Sequence, residues 1–143
     1  MTAVAGGPAG PSDAIVTRLG SGGPWEARYG YSRVVRVGPL AITAGCTSTV
    51  EGRVTHVGDA AAQTAQALRI GLDALAEVGA APGDVIRTRM YVTDRRYADE
   101  VGLAHNVFFG PVRPVATMVV VAGLIDPDHL VEVELEAYLP DGR

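Results

Sequence analysis

The stretch GDAAAQTAQALRIGLDALAEVGA, residues 58–80, carries the clearest structural signal in the sequence. Asp59 is a favoured helix N-cap residue, and Gly79 offers a left-handed stop at the other end. Between them, apolar residues recur at helical spacing, at Ala62, Ala65, Leu68, Leu72, Leu75 and Ala76. The spacing predicts a helix with one apolar face.

Strand patterns lie on both sides of this helix. Before it, residues 32–46 are apolar on either side of the turn dipeptide Gly38-Pro39, which predicts a hairpin of two short strands. After it, residues 85–93 alternate in character, and side chains alternate across a strand. One face of this predicted strand carries Ile86, Thr88, Met90 and Val92, and the other carries Arg87, Arg89 and Tyr91.

The C-terminal third of the chain predicts one more helix and two more strands. The helix should begin near Asp94 and end at Gly110-Pro111, with Tyr97, Val101, Ala104 and Phe108 at helical spacing. Residues 116–122 are mostly apolar and rich in valine, which is typical of a central strand. Residues 130–139 alternate, so one face carries Glu132, Glu134 and Glu136.

This order of elements predicts an α+β fold, with one mixed sheet covered on one face by two helices. The uncovered face would carry the three glutamates together with Arg87, Arg89, Tyr91 and Tyr138. Such a mixture suits a subunit interface or a pocket better than plain solvent, so self-association is expected. The glutamate row could be an ion-pair network with the arginines or could supply a catalytic acid or base, because crowded carboxylates raise one another's pKa.

Composition narrows the functional classes. A chain of 143 residues suits one domain, predicted over residues 15–143, after a flexible tail rich in glycine and proline over residues 1–14. A net charge of −4 without a cationic run argues against a nucleic-acid partner. All 12 cationic side chains are arginine, so no lysine can form a Schiff base. The sequence predicts neither a signal peptide nor a membrane span, and we expect a cytoplasmic protein.

Common catalytic and metal-binding signatures are missing from the sequence. His56, His105 and His129 lie on separate elements, so no metal site is predicted. His105 is either a partly buried helix residue or a pocket donor. Cys46, the single cysteine, excludes an intrachain disulfide and a CxxC pair, and it fits core packing better than a nucleophile's role.

Four segments, residues 29–45, 58–80, 84–94 and 113–137, together resemble the RidA/YjgF family of reactive-intermediate deaminases, also described as endoribonuclease L-PSP. The resemblance covers the chain from about Trp25 to Ala137. It implies a chorismate-mutase-like α+β fold and a homotrimer with small-molecule clefts between subunits. Deaminating members hydrolyse reactive enamines and imines without a metal or a cofactor.

Site residues follow from the same resemblance. The family's cleft tyrosine falls on Tyr31, its strand-end glycine on Gly45, and its glutamate on Glu132. The arginine that binds the substrate carboxylate is replaced by Ala116, and the glutamine after the glycine is replaced by Cys46, which makes the pocket floor more apolar. Further candidates for substrate binding are Arg89, His105, Thr117 and Met118, while Arg33 is a second arginine that could reach the cleft.

Two functional hypotheses remain open at this level. The retained tyrosine, glycine and glutamate favour a cofactor-free hydrolase or deaminase-like enzyme acting on a small imine, enamine or related carbonyl compound. The missing arginine, whose contact with a carboxylate contributes about 1.5–3 kcal/mol, makes ordinary iminoacid deamination doubtful. It therefore motivates the alternative of a non-catalytic metabolite-binding or sensor protein.

Overall fold

The structure of the chain is a computed structural model that describes residues 1–4 and 15–140. Most of the predicted N-terminal tail, residues 5–14, lies outside the described residues. The strands are β1 (Thr2–Ala3), β2 (Val16–Gly20), β3 (Val34–Val37), β4 (Leu40–Thr43), β5 (Thr49–Val50), β6 (Arg53–Val54), β7 (Val85–Val92), β8 (Val115–Val120) and β9 (Val131–Tyr138). The helices are α1 (Pro24–Tyr29), α2 (Ala60–Glu77) and α3 (Ala98–Phe109).

Seven strands form one mixed sheet in the order β1-β2-β3-β4-β9-β7-β8, and β5 and β6 form a separate two-stranded ribbon. Neighbours in the large sheet are antiparallel except for β7 and β8, which run parallel. Helix α2 packs on β9 and β4, and α3 packs beside α2. The predicted α+β fold, with two main helices on one side of the sheet, is confirmed.

Helix α2 follows the sequence prediction closely. The Asp59 carboxylate accepts a hydrogen bond from the Ala62 backbone N–H at 2.9 Å, and Gly79 has a left-handed φ of 93°. The apolar face buries Leu68 and Leu75 completely. Gly71 allows the helix to approach the sheet, because a Cβ there would lie 2.8 Å from Leu135 Cδ1. Small residues on this face therefore set how closely α2 covers β9.

Two strand predictions need correction. The valine-rich run predicted as a central strand is β8, which lies at the edge of the sheet with Val115 61% exposed. An apolar run predicts that the strand is covered, but it does not show whether the same chain or another molecule covers it. Ile86 was expected on the packed face and is exposed instead, because the register between β7 and β9 shifts between Val85 and Arg87.

Some short elements were not predicted from the sequence. Helix α1 is only six residues long, and β1, β5 and β6 each have two. The second main helix begins at Ala98 rather than near Asp94, because residues 95–97 form a 3₁₀ turn capped by the Asp94 side chain. No helix within the described residues is long and apolar enough to cross a membrane.

Candidate functional site

The open face of the sheet carries a ladder of ion pairs between β7 and β9. Arg89 Nη1 lies 2.9 Å from Glu136 Oε1 and 3.5 Å from Glu134 Oε2, and Arg87 Nε lies 3.6 Å from Glu136 Oε2. The Tyr91 hydroxyl donates to Glu134 at 3.0 Å, and burial together with this bond raises the tyrosine pKa. The predicted pairing of Arg87 and Arg89 with the glutamate row is therefore present, and Arg89 is engaged there.

Glu132 lies on the same face but stands outside this ladder. It occupies the register position opposite Tyr91, and its neighbours in sequence, Val131 and Val133, are fully buried on the helix side. No described residue donates a hydrogen bond to its carboxylate. Partial burial raises the Glu132 pKa, the nearby charge of Glu134 raises it further, and the charge of Arg33 lowers it. Glu132 is thus a carboxylate with a raised affinity for a proton and open hydrogen-bonding capacity.

Gly45 lies directly against the Glu132 side chain. A Cβ on Gly45 would lie 2.9 Å from Glu132 Cδ and would overlap Oε1, so only glycine fits here without displacing the carboxylate. The backbone leaves the regular ladder at this point: the Leu135 N–H donates to the Thr43 hydroxyl at 3.1 Å. The strand rejoins β9 at Cys46, which exchanges two backbone hydrogen bonds with Val133. The irregularity brings the Gly45 backbone close to Glu132.

Arg33 holds the backbone at Gly45 in place. Its Nη1 donates to the Gly45 carbonyl at 2.6 Å and lies 3.6 Å from Cys46 Sγ, while Nε lies 3.9 Å from Glu26 Oε1. The Arg33 side chain is only 15% exposed. Of the two arginines considered from the sequence as possible cleft residues, the structure therefore places Arg33 beside Gly45 and Glu132. The sequence did not indicate this contact, since Arg33 precedes β3 and Gly45 follows β4, 12 residues later.

The Cys46 side chain is buried rather than open to a pocket. It is 1% exposed, and Sγ lies close to Gly71 of α2, where a Cβ would approach it to 3.5 Å. Burial raises the thiol pKa, an effect that the Arg33 charge partly offsets. A ligand beside Glu132 would consequently meet the backbone of this segment before the sulfur.

Tyr31 lies just after α1 and connects to the same region through Glu26. Its backbone N–H donates to the Glu26 carbonyl at 3.1 Å, and its exposed side chain lines a groove of about 670 Å³ between β2 and α1. Glu26 in turn accepts hydrogen bonds from the Ser21 backbone and hydroxyl and faces Arg33. Arg33, Gly45 and Glu132 therefore form one continuous group, named here the glutamate group, which Tyr31 joins only through its backbone bond to Glu26.

The remaining predicted residues gather at the other edge of the sheet. His105 Nε2 lies 2.8 Å from the hydroxyl of Thr88, which is fully buried, and burial lowers the histidine pKa. In the parallel register, Thr88 is opposite Ala116 and Met90 is opposite Met118. Met118 approaches Gly102 of α3, whereas Ala116 and Thr117 are exposed. This second group lies where β8 meets α3.

One chain does not bring the two groups together. Strand β7 separates β8 from β9, and Ala116 follows the helix-side face while Glu132 lies on the open face. Elsewhere, His129 is buried with Nε2 2.9 Å from the Thr49 hydroxyl. No set of three histidine, cysteine, aspartate or glutamate side chains that could hold a metal ion occurs within the described part of the chain.

Comparison with known proteins settles the family. A sequence model of the Endoribonuclease L-PSP family matches residues 24–139. The chain belongs to this family. A solved structure of Rv2704 from Mycobacterium tuberculosis, a member of the YjgF/YER057c/UK114 family, is 46% identical with a TM-score of 0.80, covering 87% of this chain and 100% of that one. The resemblance inferred from the sequence is therefore confirmed at the level of family and fold.

Two relatives of this L-PSP-family protein differ in whether their names state a reaction. SCO2049 from Streptomyces coelicolor is 43% identical over 123 residues, covering 86% of this chain and 92% of its own length, and is an uncharacterised protein. RutC from Acinetobacter baylyi, a 3-aminoacrylate deaminase, is 33% identical over 86 residues, covering 60% of this chain and 68% of RutC. Only the more distant of these two L-PSP-family relatives carries a named reaction.

Proposed function

We propose that the protein is a hydrolase of small imines, enamines or related carbonyl compounds, acting at the glutamate group. The observation that carries this proposal is Glu132. Its carboxylate is partly buried, has a raised pKa and accepts no hydrogen bond from a described residue, although the arginines of the same face engage its neighbours. A carboxylate left in this condition is suited to accept a proton and to return it.

The chemistry needs only water and proton transfers. The Glu132 carboxylate would accept a proton from a water molecule as the water oxygen bonds to the imine carbon and the C=N π electrons move to nitrogen. The protonated Glu132 would return this proton to nitrogen, which gives a neutral carbinolamine. The ionised Glu132 would then take the hydroxyl proton of the carbinolamine and pass it to nitrogen, so that C=O forms as the C–N bond breaks and ammonia leaves. One imine and one water give one carbonyl compound and one ammonia. An enamine enters the same route after protonation at carbon, and no cofactor is required.

Gly45 and Arg33 would support this step in different ways. The missing Cβ at Gly45 leaves the backbone against the carboxylate, where a small substrate could contact main-chain groups. The Arg33 charge opposes the rise in the Glu132 pKa, so that more of the carboxylate stays ionised near neutral pH. Tyr31, whose exposed side chain lines the groove beside Glu26, would supply its hydroxyl for binding or proton transfer.

A neighbouring copy of the chain would complete the cleft. Strand β8 presents exposed valines and an open edge, which proteins rarely leave uncovered. Association through this edge, in the homotrimer that the family resemblance implies, could place the β8 residues of one subunit near the glutamate group of another. Light scattering that returned the mass of a single chain would contradict this part of the proposal.

Changing Arg33 should move the pH dependence of the reaction. The folded-state pKa of Glu132 lies above its ordinary value of 4.5, so activity should fall as pH falls through that raised pKa. Arg33→Gln removes the charge that lowers the pKa and should shift the acid limb of log kcat/KM further toward neutral pH. Arg33→Lys retains the charge and should keep the limb nearer its wild-type position. If the acid limbs of the two pH profiles coincide in wild type and Arg33→Gln, Arg33 does not set the pKa of Glu132.

A metabolite-binding protein is the second candidate, favoured by one observation. Ala116 presents only a methyl group at the exposed position where deaminating relatives place an arginine. The two candidates differ in the fate of the ligand. A thermal-shift screen of small imines, enamines and carbonyl compounds, followed by mass spectrometry of each stabilising compound, separates them: the proposed hydrolase converts its ligand, and a sensor returns it unchanged.

Ribonuclease activity is not proposed, despite the family's description. The three histidines lie on separate elements, with His105 bonded to Thr88 and His129 bonded to Thr49. The net charge of −4, without a cationic run in the sequence, disfavours a polyanion as the partner. A small molecule is therefore the expected partner.

A further inference from the structure

The loop that joins α3 to β8 borders a shallow depression of about 370 Å³, distinct from the groove beside Tyr31. Its lining is formed by His105, Asn106, Phe109, Gly110, Arg113 and Pro114. It lies just before β8, three residues ahead of Ala116, and His105 reaches the Thr88 that pairs with Ala116. The depression therefore flanks the strand position at which the carboxylate-binding arginine of deaminating relatives is missing.

Arg113 adopts a backbone conformation that favours glycine. Its φ is 57°, in the left-handed region, and its backbone N–H donates to the Phe109 carbonyl at 2.8 Å, which ends the helical segment. A residue with a Cβ is disfavoured in this conformation, and such backbone strain is concentrated at functional sites. Glycine would suit this backbone conformation better than arginine does. The presence of an arginine here is therefore better explained by its side chain than by the backbone.

The Arg113 guanidinium has no partner among the described residues. No carboxylate lines the depression, and neither a hydrogen bond nor an ion pair engages the Arg113 side chain within residues 1–4 and 15–140. Burial lowers the pKa of His105, so this histidine is neutral near pH 7. Arg113 is then the charged residue among those that line the depression. In a protein of net charge −4, an unpaired cation at a concave site is a place where a small anion can bind.

We propose that Arg113, with His105 and Asn106, forms a subsite for the carboxylate group of a small organic acid. The planar guanidinium can donate two parallel hydrogen bonds to a carboxylate, and the two neighbouring polar side chains border the same depression. Arg113 would bind the substrate carboxylate in place of the arginine that Ala116 replaces. It lies on the loop before β8, whereas the replaced arginine would lie on the strand itself. It rests on the proposed function only for the reaction that follows binding, which would then use carboxylate-bearing imines.

Propanoate and its neutral isostere propanamide are suitable probes, because they differ only in the charged group. Both would be titrated into ¹⁵N-labelled full-length protein, with the Nε–H signal of Arg113 and the backbone signals of His105 and Asn106 as readouts. Arg113→Gln removes the charge, and Arg113→Gly also relieves the left-handed conformation. Arg53→Gln, at an exposed arginine of β6, is the matched control.

Propanoate should shift the signals of the three residues with a saturable profile, and propanamide should not. Both Arg113 variants should bind propanoate roughly 10- to 100-fold more weakly, while Arg53→Gln binds as wild type does. The melting temperature of Arg113→Gly should equal or exceed that of wild type, which excludes misfolding as the cause. Equal binding of the two probes, or unchanged affinity in Arg113→Gly, would overturn the subsite.

The subsite and the proposed hydrolase can fail separately. Propanoate binding at Arg113 in a protein that converts no imine would remove the hydrolase and leave the subsite. Turnover of carboxylate-bearing imines that is unaffected by Arg113→Gly would remove the subsite and leave the hydrolase.

Discussion

Glu132→Gln is expected to lower kcat/KM for imine hydrolysis by about 10²- to 10⁴-fold, the usual contribution of a positioned general acid or base. Glutamine has nearly the same shape, so the backbone at Gly45 and the strand register should remain. It cannot accept the proton of the attacking water, however. The measurement is the initial rate of ammonia release at fixed pH, with the same substrate for both proteins.

Glu136→Gln is the matched control, because Glu136 lies on the same face of β9 but is paired with Arg87 and Arg89. Removing that carboxylate changes the net charge equally and should leave the rate within a few-fold of wild type. A Glu136→Gln protein as slow as Glu132→Gln would show that charge or folding, and not the position of Glu132, determines the rate.

The stability of Glu132→Gln should change in the opposite sense to its activity. The folded state raises the Glu132 pKa above 4.5, so it binds this proton more tightly than the unfolded chain does. The wild-type free energy of unfolding therefore decreases as pH rises from about 4.5 through the folded-state pKa. Glutamine removes this cost, so the variant should melt at a higher temperature at pH 7. The difference should vanish below pH 4.5.

Ala116→Arg is the second substitution with a large expected effect. It should raise kcat/KM for hydrolysis of small iminoacids by roughly 10- to 150-fold, because a guanidinium would contact the substrate carboxylate directly. Ala116 is exposed on the edge strand β8, so the longer side chain should fit without displacing the core. Ala116→Gln provides a neutral side chain of comparable reach and should not raise the rate.

The outcome for Ala116→Arg also tests how far the pocket has diverged. A gain confined to the arginine variant and to carboxylate-bearing substrates identifies a working deaminase site that lacks its strand anchor. Activity that stays at the wild-type level would contradict this view and would mean that the pocket around the anchor has changed as well. Melting temperatures of both variants show whether the edge strand tolerates the change.

Local patterns in the sequence predicted the main elements because each has a local physical cause. Asp59 caps α2 through the backbone three residues on, and the alternation of β9 follows directly from the pleat. The edge position of β8 could not be read in the same way. Its valines predict a buried strand, whereas the topology places β8 at the edge of the sheet, where these side chains are exposed.

Candidate site residues were predictable only in part. The family resemblance selected Gly45 and Glu132, and the structure shows them in direct contact. It gave no reason to place Arg33 on the Gly45 carbonyl, since that bond joins residues 12 apart through the fold of a hairpin. The backbone of Arg113 was unpredictable for a different reason: a left-handed φ has no signature in the sequence when the residue is not glycine.

A hydrolytic role for Glu132 is tested by the initial rate of ammonia release from freshly generated imines and enamines, with and without a carboxylate group. We expect wild-type protein to accelerate release from at least one of these compounds over buffer, with one carbonyl product per ammonia, and we expect no acceleration by Glu132→Gln. Release at the buffer rate from every compound, or equal acceleration by wild type and Glu132→Gln, would contradict a hydrolytic site at Glu132.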